Sequence, residues 1–127
     1  MNTDAYSKPI EVLIVEDDSE IRELLVMLME LEGYQVSSLN NGIDVISNVS
    51  FDKPDLILLD VMLGDSDGRD VCKDLKQSAT TQNIPIIIVS GTHGWHTAHE
   101  KKCGADDYVS KPFDISYLAS RVSKFIS

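Results

Sequence analysis

Positive charge is scarce in this chain. Eleven Lys and Arg stand against 21 Asp and Glu, a formal net charge of −10. Nucleic acids and anionic membrane surfaces are bound through basic faces, so the balance argues against direct binding to either. The acidic excess identifies no partner by itself, because much of it is ordinary solvated surface. Cysteine is also sparse. Cys72 and Cys103 are the only two, far apart in sequence, with no CxxC and no histidine at ligand spacing. That pattern excludes a disulfide framework and reads as two free thiols in a reducing compartment. Long apolar runs are missing, since none approaches the ~20 residues needed to span a bilayer. Residues 1–9 are polar and lack the apolar core of a signal peptide. The expectation is a cytoplasmic protein with a short flexible lead over 1–10 and a single domain over 11–127.

Short aliphatic runs are abundant. Leu56-Ile57-Leu58-Leu59 leads straight into Asp60. Four large aliphatics ending in a carboxylate read as a strand buried on both faces, as in parallel sheets. Val12-Leu13-Ile14-Val15 runs in the same way into Glu16, Asp17 and Asp18. Ile86-Ile87-Ile88-Val89 runs into Ser90, and Tyr108-Val109-Ser110 into Lys111-Pro112. Helical spacing appears between these runs. Asp18 or Ser19 caps a helix whose stripe is Ile21, Leu24, Leu25, Leu28 and Leu31, with Met27 and Met29 as packing residues and Gly33 as its stop. Residues 34–39 form a less apolar strand nearer an edge. Ile43, Val45, Ile46 and Val49 give a short second helix, and 69–77 a third burying Val71, Cys72 and Leu75. Further strands are expected over 84–89 and 107–110, and a thinly amphipathic helix over 95–103. Asp114 caps a last helix burying Ile115, Leu118, Ala119, Val122 and Ile126. Strand and helix alternate five times, which predicts an α/β fold: a five-stranded parallel sheet with helices on both faces and right-handed crossovers.

Ligand sites in such sheets gather at the carboxyl ends of the strands. That edge would collect Glu16, Asp17, Asp60, Ser90 and Lys111. Carboxylates a few ångströms apart repel, and remain ionised together only with a cation among them. Oxygen ligands of this kind favour Mg2+, which keeps waters and bridges to phosphate. Lys111 supplies a point charge and Ser90 a hydroxyl donor for phosphoryl oxygens. Asp60, screened by the metal, is the natural nucleophile.

Val-Leu-Ile-Val-Glu-Asp-Asp (12–18), Asp-Leu-Ile-Leu-Leu-Asp-Val-Met-Leu (55–63), Ile-Ile-Ile-Val-Ser-Gly (86–91) and Gly-Ala-Asp-Asp-Tyr-Val-Ser-Lys-Pro-Phe (104–113) resemble the receiver domain of two-component response regulators. The likeness runs from Glu11 through the last helix. It implies a flavodoxin-like, doubly wound (βα)5 fold. It also implies phosphoryl transfer to Asp60 from a histidine kinase or histidine phosphotransfer protein, and slow autodephosphorylation, so the chain would be an enzyme only in a loose sense. Glu16, Asp17, Asp60 and the backbone carbonyl of Met62 would hold Mg2+, and Ser90 and Lys111 would contact the phosphoryl group. Ser90 and Tyr108 would form the switch, and the bond before Pro112 would be cis. The output would be a downstream protein target, with the chain a monomer or weak homodimer.

Several plainer or rival readings are weighed against this one. Ser90 could be a strand-end hydroxyl bonded to backbone, and Tyr108 a fixed half-buried aromatic. His93, His96 and His99 read better as a solvated face than as a metal site. A haloacid-dehalogenase-type phosphohydrolase needs a second aspartate two residues after the nucleophile, where this chain has Met62. A calcium loop at Asp65-Ser66-Asp67-Gly68 has its glycine two positions too early. The alternative that survives is a phosphate-independent interaction module with the same fold. Two departures from the family stand out. Gly64 replaces a frequent proline, which predicts a more mobile loop, and the stretch from Ser90 to Gly104 is one residue short.

Overall fold

The computed structural model describes residues 8–91 and 103–126. Five strands, β1 (Glu11–Val15), β2 (Gln35–Leu39), β3 (Leu56–Leu59), β4 (Ile86–Ser90) and β5 (Asp107–Ser110), form one sheet in the order β2-β1-β3-β4-β5. Every pairing is parallel, with Val12 opposite Leu56, Ile57 opposite Ile86 and Ile87 opposite Asp107. The described helices are α1 (Ser19–Leu31), α2 (Val45–Phe51), α3 (Gly68–Gln77) and α4 (Ile115–Ile126). The helix expected over 95–103 and the three histidines lie outside the described residues, apart from Cys103.

Alternation along each strand divides the core into two layers. Leu13, Val15, Ile57, Leu59, Ile86 and Ile88 face Val45 and Val49 of α2 and Val71, Cys72 and Leu75 of α3. Val12, Ile14, Leu58, Ile87, Val89 and Val109 face Leu25, Leu28 and Met29 of α1 and Leu118 and Val122 of α4. Each such side chain taken fully from water contributes about 1.5–3 kcal/mol. The runs at β1, β3 and β4 are continuous because helices cover both faces of those strands. β2 lies at an edge, as its weaker pattern predicts.

Several boundaries and faces differ from expectation. β4 starts at Ile86 rather than residue 84, because Ile84 N–H is spent in a turn on Thr81 O (3.1 Å) and Pro85 has no amide to give. On α1 the buried positions are Leu25, Leu28 and Met29, whereas Leu24 and Met27 are exposed and Leu31 is 76% exposed. The aliphatics of α1 can form two overlapping stripes, and the angle at which the helix meets the sheet selects one. Ile43, Ile46 and Ile115 are likewise exposed. Asp18 caps α1 through Glu20 N–H (2.9 Å) and Ile21 N–H (3.1 Å), and Asp114 accepts from Tyr117 N–H (2.8 Å) in the first turn of α4.

Candidate functional site at the carboxyl edge of the sheet

The strand order reverses between β1 and β3, because the chain leaves β1 for β2 on one side and β3 for β4 on the other. A crevice opens at such a switch point, and β1 and β3 deliver Glu16, Asp17 and Asp60 to it. Asp60 N–H bonds Val15 O (3.0 Å), so the register that pairs the strands also sets the carboxylates side by side. Ligand oxygens of Glu16, Asp17 and Asp60 all lie within 4.8 Å of one another. Glu16 is 1% and Asp60 7% exposed, while Asp17 faces solvent.

Lys111 neutralises part of this charge. Its Nζ lies 2.5 Å from Glu16 Oε1 and 3.5 Å from Asp60 Oδ1. The remaining oxygen of Glu16 accepts from Asp18 N–H (3.3 Å), and Val61 N–H holds Asp60 Oδ1 (2.8 Å). The compensation is incomplete. Burial, and then the Asp60 carboxylate, push the Glu16 pKa above its ordinary 4.5 despite Lys111. Burial and the neighbouring Glu16 likewise raise Asp17. One ammonium does not balance three crowded carboxylates, and an all-oxygen donor set open to water on the Asp17 side fits a hard divalent cation.

β4 and β5 bring the complementary groups. Lys111 N–H bonds Ser90 O (2.6 Å), which holds the two residues together where the strands end. Ser90 is 1% exposed, and its hydroxyl has no hydrogen-bond partner among the described residues. The Lys111–Pro112 peptide is cis. Tyr108 lies apart from the carboxylates. Its side chain packs on the α3 face of the sheet with its hydroxyl 3.8 Å from Cys103 Sγ, and burial raises its pKa to about 12. The Met62 side chain is 72% exposed beside an open cleft of about 420 Å3 lined by residues 61–67 and Arg69.

Sequence reasoning missed three positioning contacts. Arg22 reaches back from α1 to donate to the backbone carbonyls of Glu16 (2.9 Å) and Asp17 (3.4 Å). Asp65 accepts from Gly42 N–H (2.9 Å) and Ile43 N–H (3.2 Å), fastening the loop after β3 to the loop after β2. Gly64 has φ +77°, a left-handed conformation that proline cannot adopt. Finally, a Cβ on Gly68 would lie 1.9 Å from Asp60 O, so only glycine lets α3 start against the backbone of Asp60. A glycine directly after the helix-capping Asp67 is a signal that could have been read. The pairing of Asp65 with residues 42 and 43 leaves none.

Residues 12–123 match the family model described as response regulator receiver domain. The chain belongs to that family. Among curated relatives of this receiver domain, the Streptomyces coelicolor transcriptional regulatory protein CseB is 37% identical over 112 residues, covering 87% of this chain and 47% of that protein. The chain thus spans about half the length of the curated relatives it matches. Among solved structures, the signal receiver domain of a Syntrophus aciditrophicus signal transduction histidine kinase superposes with TM-score 0.84 at 34% identity, covering 91% of this chain and 89% of that one. The receiver domain of a Pseudomonas aeruginosa sensor histidine kinase, which has magnesium coordinated in its active-site cleft, shares the fold (TM-score 0.86) at 24% identity, covering 94% and 98%. Receiver domains belong to two-component signalling and bind Mg2+ in their acidic pocket. No described helix is long and apolar enough to cross a membrane.

Proposed function

We propose that this receiver domain accepts a phosphoryl group on Asp60 from the phosphohistidine of a kinase or phosphotransfer protein and so switches a protein-docking surface. The observation that carries the proposal is Ser90, whose buried hydroxyl has no partner among the described residues and sits beside Lys111 at the edge that holds Asp60. A buried hydroxyl left without a partner costs about 1–3 kcal/mol. A phosphoryl oxygen arriving on Asp60 would satisfy it.

A carboxylate oxygen of Asp60 attacks phosphorus, the P–N bond to the donor imidazole breaks, and the imidazole leaves with the bonding pair and takes up a proton. Val61 N–H orients the attacking carboxylate, and Lys111 and Ser90 receive charge that builds on the phosphoryl oxygens. Glu16, Asp17, Asp60 and the backbone carbonyl of Met62 would hold Mg2+, which when bound screens the carboxylates and the incoming phosphate. Lys111 would then turn from Glu16 toward the phosphoryl group. The added charge of about −1.5 to −2 biases an existing two-state equilibrium in which Ser90 closes on the phosphate and Tyr108 follows. Met62, exposed two residues past the nucleophile, would restrict the approach of water and lengthen the life of the phosphoaspartate.

An apolar hollow lined by Ile21, Leu24, Lys111, Pro112, Phe113 and Ile115 adjoins the site. It would seat the apolar face of a helical phosphodonor. The test is intact mass after incubation with acetyl phosphate and Mg2+. A gain of one phosphoryl group, lost in Asp60→Asn and with chelator, supports the proposal. A folded protein that takes up nothing would instead be the phosphate-independent docking module.

A further inference from the structure

The two cysteines lie 31 positions apart in sequence, and the fold joins them. Cys72 is on the buried face of α3, and Cys103 stands on the chain entering β5. Cys72 Sγ donates to Cys103 O at 3.5 Å, which brings the two cysteines against each other in one core cluster. Neither is in a disulfide, and they are 0% and 5% exposed. A buried thiol is ordinarily an inert core residue. This pair has polar company. Tyr108 Oη sits 3.8 Å from Cys103 Sγ. Arg69, whose Nε and Nη2 are spent on Asp67, keeps a buried Nη1 with no hydrogen-bond partner among the described residues.

We propose that Cys72 and Cys103 form a redox modification site, a buried dithiol that hydrogen peroxide oxidises to an intramolecular disulfide tying α3 to the chain entering β5. Cys103 is the attacking sulfur, because it is the more exposed of the two and the one that Tyr108 contacts. Its thiolate attacks one peroxide oxygen, the O–O bond breaks, and the departing hydroxide takes a proton to give water and a sulfenic acid. Cys72, having lost its proton, attacks the sulfenic sulfur and expels hydroxide, which is protonated to the second water. Two thiols thus lose two electrons and two protons, and one peroxide becomes two waters. The surroundings favour this order. The Cys72 S–H first, then Ala105 N–H, the Tyr108 hydroxyl and the charge of Arg69, bring Cys103 down to about 6 against the effect of burial, while the same contact pushes Cys72 up. Cys103, the more exposed of the pair at 5%, is the one a small oxidant would meet first.

Closing the bond withdraws the Cys103 thiol from Tyr108, so oxidation acts on a residue assigned to the switch. That consequence rests on the proposed function, whereas the oxidation itself does not. The test uses the whole folded chain without phosphodonor. The protein is treated with hydrogen peroxide, quenched with catalase, denatured in N-ethylmaleimide and weighed. The expected product is about 2 Da lighter, takes no maleimide, and regains both thiols with dithiothreitol. Peptide mapping should join Cys72 to Cys103. Cys72→Ser should instead gain one oxygen on Cys103. Two maleimides on the peroxide-treated protein, or a disulfide between two chains, would overturn the proposal. Because the readout is mass alone, its failure leaves phosphoryl uptake at Asp60 untouched.

Discussion

The interiors of β1, β3 and β4 and their carboxyl ends lie one residue apart and obey opposite rules. Over Val12–Val15, Leu56–Leu59 and Ile86–Val89 every position is apolar, buried and paired, and local pattern agrees with the global fold. At the carboxyl ends three carboxylates crowd within 4.8 Å, two with raised pKa values, and a buried hydroxyl has no partner among the described residues. Sequences that fold well remove such conflicts wherever function does not need them. Stability comes from the strands and is spent at their ends, where, on the proposed function, a divalent cation and a phosphoryl group would meet the unsatisfied groups.

Paired substitutions either side of the boundary between Leu58 and Asp60 test this most strongly. Leu58→Ala in the interior should lower stability by about 2–5 kcal/mol in denaturant titration. Asp60→Asn should leave the metal-free fold at least as stable as the parent while abolishing phosphoryl uptake. An Asp60→Asn protein destabilised as much as Leu58→Ala would break the contrast. Ser90→Ala should slow uptake from acetyl phosphate by about 100-fold. It should also stabilise the metal-free protein slightly, since it deletes a polar atom that lacks a partner.

The acidic groups give a weaker effect with a definite sign. Glu16 and Asp17 both hold protons more tightly folded than unfolded. Their contribution to stability is therefore fully present below the ordinary values of 4.5 and 3.8 and is lost as pH rises through the raised ones. Without divalent cation, Asp17→Asn should raise Tm by about 1–2 °C at neutral pH, a figure kept small because Asp17 is exposed and screened. With Mg2+ the order should reverse, because the variant loses a ligand. An Asp17→Asn melt that tracks the parent in both conditions would contradict this. The smallest effect concerns lifetime. Met62→Asn should hydrolyse its phosphoaspartate several-fold faster than the parent, and equal rates would remove Met62 from that role.

Much of the fold was legible because a doubly covered strand advertises itself. Leu56 to Leu59 and Ile86 to Val89 tolerate no polar residue, so their ends stand out sharply, and Glu16, Asp60, Ser90 and Lys111 could be placed at one edge before any coordinates. Less legible was anything fixed by angle or long-range contact. Leu24 and Leu31 have the same helical spacing as Leu25 and Leu28, and only docking on the sheet separates the exposed pair from the buried one. Asp65 gives no local hint that it holds Gly42 and Ile43 across 23 and 22 residues. Cys72 and Cys103 read as unrelated thiols because nothing in their neighbourhoods records that α3 and the approach to β5 share one face.

On the proposed function, the Ser90 hydroxyl meets an oxygen of a phosphoryl group on Asp60. The most direct measurement is the Tm of parent and Ser90→Ala, each without ligand and with Mg2+ plus fluoroberyllate, an analogue of the acyl phosphate. The account predicts a variant no less stable than the parent when unliganded, with a clearly smaller gain when the analogue binds. Equal gains in the two proteins would mean that the Ser90 hydroxyl does not meet the phosphoryl group, and the account would fail at its centre.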